Sequence, residues 1–141
     1  AFVPNDGESL EDLAPPTYRD LFDEIEQPDG SVLLPFPLWH GSFINDADQE
    51  LAQETYEMLN PHPHKTMQDK IRLRTNPEDM PIAKSFLHCS DDIAMPESAP
   101  WHPRLSNKLG AFRFVSMPGS HEVCFTHPAL LAAKIIASGE D

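Results

Sequence analysis

Cysteine and positive charge are both scarce in this chain. Its two cysteines, Cys89 and Cys124, are too few for a disulfide framework or a structural zinc site, so buried free thiols are expected. Ten basic residues face 23 acidic ones, for a formal net charge of −13. A chain this acidic repels phosphate backbones, and no basic stripe reverses the balance locally, so no nucleic-acid partner is expected. No apolar run approaches the roughly 20 residues that a membrane-spanning helix needs, so no membrane role is expected. The opening AFVPNDGESLEDL lacks the basic and then apolar character of a secretory leader. A soluble chain is expected, and the missing leader leans towards the cytoplasm without naming the compartment.

What is present suits a globular protein. Of 141 residues, 40% are apolar and 23% charged. Proline is plentiful at 15 residues, most of them before position 104. Proline cannot donate to a sheet ladder and is costly inside a helix, so the first two-thirds should be short helices joined by ordered loops.

Along the chain, Pro15–Pro16 followed by TYRDLFDEIEQ predicts a short helix with proline in its first turn. In SVLLPFPLWHG, Pro35 and Pro37 argue against a central strand. NDADQELAQETYEMLN reads as the clearest helix, with an Asn or Asp cap, an apolar face of Leu51, Thr55, Met58 and Leu59, and a stop at Asn60–Pro61. PHPHKTMQDKIRLRTNPEDMP then reads as an extended connector. His62 and His64 form an H-x-H pair, but without convincing carboxylate partners no metal site is assigned.

The last third has a different pattern. AKSFLHCS (83–90) is a short apolar strand, residues 96–109 a helix broken by Pro100 and Pro103, and AFRFVSM (111–117) a second strand. HPALLAAKIIASGED closes the chain as a helix with Pro128 near its start. This βαβα order favours a parallel sheet covered by helices, and two strands alone cannot bury both faces of one. The fold class is therefore α/β, with residues 1–80 a loop-rich helical cap and 81–141 a βαβα unit that other strands complete.

Ligands in parallel α/β sheets bind outside the carboxyl ends of the strands. Asp91–Asp92 follow the first strand and His121 follows the second. Taken singly, such residues are ordinary in turns. Together they let a carboxylate hold imidazole Nδ1–H while Nε2 accepts a proton.

Several stretches are similar to one family. AFVPNDGESL resembles a segment leaving a sixth strand, and PLWHGSFINDADQELAQETYEMLNPHP a helical cap. FLHCSDDIAMP resembles a seventh strand with a catalytic acid, and FVSMPGSHEVCFTHPALLA an eighth strand, catalytic histidine and final helix. The chain is thereby identified as resembling the α/β-hydrolase fold, in the branch of plant methylesterases, hydroxynitrile lyases and related bacterial esterases. The resemblance implies Asp92, four residues before Pro96, as catalytic acid and His121 as catalytic base. It implies a cap whose apolar residues Phe36, Leu38, Trp39, Phe43 and Met67, with Val123 beside the histidine, face a small, mostly apolar ester. No cofactor and no metal is implied.

The nucleophile is missing. The elbow G-x-S-x-G places serine on a strained strand-to-helix turn, earlier in the chain than the acid. Here Gly41–Ser42 and Gly119–Ser120 have the wrong pattern and place. A second polypeptide carrying the N-terminal part of the fold and the serine is therefore expected as partner, because Ala1 would lie just beyond the sixth strand. Three alternatives stay open at this point. Cyanohydrin cleavage is disfavoured because Glu122 stands where the resembling lyases carry lysine, and lactone or amide hydrolysis uses the same triad. A non-catalytic binding module is disfavoured by the retention of Asp92 and His121.

Overall fold

The computed structural model describes residues 1–139. In chain order these form α1 (Leu10–Leu13), α2 (Pro16–Ile25), β1 (Ser31–Val32) and α3 (Phe36–Leu38). A π-helical turn (Trp39–Phe43), α4 (Gln49–Tyr56), β2 (His62–Pro63) and α5 (Lys65–Gln68) follow. The remainder holds β3 (Ser85–Cys89), β4 (Arg113–Met117), α6 (Val123–Thr126) and α7 (Pro128–Ser138). Short helical turns lie at Pro77–Asp79, Trp101–Leu105 and Ser106–Leu109.

Two compact units interleave along the chain. The first comprises 1–33, 60–82 and 98–111, the second 34–59, 83–97 and 112–139 within its described part. This grouping does not coincide with a division at residue 80. The helical segment 34–59 groups with the two long strands because Phe43, Asn45 and Asp46 hydrogen-bond to the turns that follow those strands.

In the first unit, Ser9 opens α1 with a capping box. Its hydroxyl accepts from the Asp12 N–H while the Asp12 carboxylate accepts from the Ser9 N–H, so two end groups are satisfied reciprocally. Pro16 stands at the start of α2, where its missing N–H costs nothing, and Phe22 is the buried residue of that helix. Strands β1 and β2 are a two-residue antiparallel pair, Ser31 opposite Pro63 and Val32 opposite His62. The stretch after Asn60, expected as an extended connector, thus contains β2, α5 and the Pro77–Asp79 turn. Its tertiary hydrogen bonds, among them His64 N–H to the Gly30 carbonyl at 2.9 Å and Ile71 N–H to the Glu8 carbonyl at 2.9 Å, draw the chain into local turns.

The second unit carries the parallel pair. β3 and β4 run in register from Ser85 opposite Arg113 to Cys89 opposite Met117. α7 packs on both strands, and the Ser85 hydroxyl donates to the Ser138 carbonyl at 2.8 Å. The helical part gathers around Trp39, Ile44 and Ala52, with Leu34, Phe36, Phe43, Ala47, Tyr56 and Leu59 packed against them. Asp48 caps α4 by accepting from the Leu51 N–H at 2.9 Å. The expected apolar face of this helix is corrected: Ala52 and Thr55 are its buried residues, and Met58 is 64% exposed. The helix ends at Tyr56, so Met58 falls in the following turn rather than on the buried stripe. The terminal helix forms as expected through Ser138, and residues 140 and 141 of that stretch lie outside the described residues.

Candidate active site

β3 and β4 end side by side, and the turns that leave them carry the acidic pair and His121. The parallel register accounts for this: Cys89 pairs with Met117, so Asp92 and His121 leave neighbouring strand ends three and four residues later. Asp92 Oδ2 lies 2.8 Å from His121 Nδ1. Its other oxygen accepts from the Ala94 N–H at 3.0 Å. The Asp92 side chain is 9% exposed and that of His121 27%. The carboxylate is therefore largely sheltered and oriented at both oxygens, while the imidazole reaches solvent. With Nδ1–H donated to Asp92, the neutral ring carries its lone pair on Nε2, the tautomer of a general base.

Asp91, the other member of the pair, does different work. Its Oδ2 accepts from the Gly119 N–H at 2.9 Å, and its own N–H donates to the Gly119 carbonyl at 3.1 Å. It thus ties the turn after β3 to the turn after β4. Gly119 has φ +130°, and a Cβ there would stand 2.4 Å from Val123 Cγ2, so only glycine fits without displacement.

The helical segment contributes at close range. The Phe43 ring meets His121 edge-on at 5.3 Å, and the Phe43 carbonyl accepts from the Glu122 N–H at 2.9 Å. Asn45 Nδ2 donates to the Asp91 carbonyl at 3.1 Å. Asp46 Oδ2 accepts from the Ser120 N–H at 3.1 Å and from the Thr126 hydroxyl at 2.9 Å. Sequence reasoning read Asn45 and Asp46 only as helix caps and missed these contacts. Their one visible signal is that the cap role belongs to Asp48, leaving two further polar residues unexplained.

Of the apolar residues expected to face a substrate, the structure brings Phe43 against His121. Phe36 and Leu38 are half-buried in α3, Phe36 against Tyr56 and His40. Trp39 is 3% exposed, stacked on Phe43, with its indole N–H donated to Ala52 and Thr55. Its position is that of helical core. Val123 is 4% exposed and packs under Gly119, supporting the turn from below. Met67 stands half-buried in α5, in the first unit.

Neither cysteine makes a nucleophile. Both are free thiols, but the expected burial is corrected: Cys89 is half-buried and Cys124 exposed. Partial burial and then the negative charge of Asp92 push the Cys89 thiol above its usual range, and partial burial and then Glu122 do the same to Cys124. Both therefore stay protonated and unreactive near neutrality.

In the first unit the H-x-H pair separates. His62 Nε2 meets the Thr66 hydroxyl at 2.5 Å, while His64 is 1% exposed with Nδ1 2.5 Å from Glu26 and Nε2 2.8 Å from Glu11. The carboxylate partners that the sequence did not reveal come from α1 and the end of α2. Asp23, Glu26 and His64 could each offer one ligand atom within 4.8 Å of the others. Both His64 nitrogens already face carboxylates, and the hydrogen bond to Glu26, with that to Glu11, raises its pKa against the opposing effect of burial.

No protein-family model and no curated protein matches the chain. Among solved structures it is similar to an extracellular α/β-hydrolase from a Paenibacillus species, described as sharing structural and functional homology with tobacco salicylic acid binding protein 2. The two superpose with a TM-score of 0.92 at 32% sequence identity, over 100% of this chain and 60% of that one.

Proposed function

The chain belongs to the α/β-hydrolase superfamily as a portion of that fold, and from that premise we propose that it is the acid-and-histidine portion of a serine esterase acting on small, mostly apolar molecules. The observation that carries this reading is the 2.8 Å contact between Asp92 and His121 at the ends of two adjacent parallel strands. The nucleophilic serine lies in the part of the fold outside these 141 residues and, in the finer form of the proposal, on a second polypeptide.

The chemistry follows from the tautomer. His121 Nε2 takes the serine proton as the serine oxygen adds to the ester carbonyl. The resulting imidazolium, stabilised by Asp92, returns that proton to the departing alkoxide, leaving an acyl-serine and a free alcohol. His121 then takes a proton from water as the water oxygen attacks the acyl carbon, and gives it back to serine, releasing the carboxylic acid. The Asp92 carboxylate stays ionised throughout.

Phe43 supports an apolar wall at the histidine, and salicylate esters enter as first substrates to test through the Paenibacillus relative's described homology. Glu122 opposes cyanohydrin cleavage, since a carboxylate beside the histidine repels departing cyanide. The test is turnover of p-nitrophenyl butyrate and of a salicylate ester by the complete protein. Saturable hydrolysis that His121→Ala reduces by about 10⁴-fold or more is expected. Hydrolysis unaffected by His121→Ala, or none with any short-chain ester, removes the reading.

A further inference from the structure

A catalytic histidine on a turn must be held as a backbone, because its ring can meet the acid only where the chain puts Cα. The turn from Pro118 to Glu122 has no regular secondary structure to hold it. Resting on the esterase reading above, we propose that Asp46 is the positioning residue for His121, a carboxylate that ties the histidine turn down on both of its sides.

A single oxygen makes the tie. Asp46 Oδ2 accepts from the N–H of Ser120, the residue before His121, and from the hydroxyl of Thr126, at the last position of the helix that follows it. His127 Nδ1 stands 3.5 Å from the same oxygen, a third contact when that ring is protonated. The Asp46 side chain is 17% exposed. Burial acts to raise its carboxyl, but the hydrogen bonds from Ser120 and Thr126 outweigh it and hold the group below its ordinary range, so it is ionised at working pH. Hydrogen bonds to an ionised acceptor are about twice as strong as neutral ones.

The post is itself fixed. Ile44, two residues earlier, is fully buried in the cluster with Trp39 and Ala52. Asn45 donates to the Asp91 carbonyl, and the Phe43 carbonyl accepts from the Glu122 N–H. Residues 43–46 therefore form a strip whose four members each engage either the core or one of the two catalytic turns. Asp91 secures the near side of the same turn through Gly119. Without Asp46, Ser120 and Thr126 lose their shared acceptor, and His121 is free to drift from Asp92. A misplacement of about 1 Å in a reacting group costs on the order of 10²-fold in rate.

The experiment uses the complete hydrolase. Asp46→Ala is expected to lower kcat for p-nitrophenyl butyrate by about 10- to 100-fold with KM within about twofold, since positioning acts on the transition state and not on ester binding. Asp46→Asn keeps an acceptor oxygen and is expected to recover activity to within about fivefold of wild type. Thr126→Val, which removes one of the two ties at nearly constant volume, gives a variant that folds if Asp46→Ala does not, and should lower kcat about three- to tenfold. A crystal structure of the Asp46→Ala or Thr126→Val protein reads the inference without turnover: the His121–Asp92 distance should exceed hydrogen-bonding range or the ring should take a second position. An unchanged 2.8 Å contact together with unchanged kcat overturns the role of Asp46 while leaving the esterase reading in place. Loss of that reading would show instead as absence of His121-dependent turnover in the wild type, in which case the crystallographic distance alone decides.

Discussion

At the scale of single residues, the two adjacent aspartates do separate jobs. Asp92 faces His121 and Asp91 faces the backbone of Gly119. Asp92→Asn should lower kcat/KM by about 10⁴-fold, because an amide stabilises the wrong tautomer and no imidazolium. Asp91→Asn keeps an acceptor for the Gly119 N–H and should cost about tenfold or less, the effect of a loosened turn. Steady-state kinetics of the two variants checks this, and equal losses would contradict the division of labour. The pair was legible in sequence as a site because both follow an apolar strand, and the resemblance pointed to Asp92. What Asp91 and Asp46 do was not legible, because their partners are backbone N–H groups at Gly119 and Ser120, which every residue but proline offers. Trp39 and Val123 were legible as apolar, but how deeply each is buried depends on which face of a four- or five-residue helical turn packs inward.

At the scale of elements, short helices and strands were placed well wherever a proline, a cap or an apolar run marked them. α2, β3, β4 and α7 all fall within their expected stretches. The failure lay in 61–81, where local composition suggests a connector and the ordering comes from distant partners. His64 is the centre of that ordering, held between Glu11 and Glu26, which lie 53 and 38 positions away in sequence. It joins α1, the end of α2 and the start of α5 within the first unit. The hydrogen bond to Glu26 raises its pKa above the ordinary 6.5, burial acts against that, and Glu11 adds to the rise. A pKa raised by folding stabilises the folded state below the unfolded value, and this contribution is lost as pH rises through the folded value. The thermal midpoint of the wild type should therefore exceed that of His64→Gln most at pH below about 6.5, the unfolded histidine value, and the gap should narrow on the alkaline side. Calorimetry of both proteins across that range is the check, and a gap independent of pH would show that His64 acts by packing alone.

At the scale of the whole molecule, the chain spans 60% of its structural relative's length, and its surface fits a part. Two parallel strands expose Phe114 at 45%, and α7 exposes Ile135 and Ile136 at 59% and 65%. Parallel sheets are normally covered on both faces, so these residues are where the rest of the fold would pack. The fold class was legible because the strand, turn and helix order of the last third admits few topologies. The nucleophile was not, because no serine in this sequence lies in an elbow pattern. The central claim is that Asp92 and His121 activate a serine outside these residues, and labelling of the complete hydrolase with a fluorophosphonate tests it most directly. We expect the phosphonate on a serine in a G-x-S-x-G elbow beyond residues 1–141, with labelling lost in His121→Ala. A label on any of residues 1–141, or labelling that persists without His121, would contradict the account.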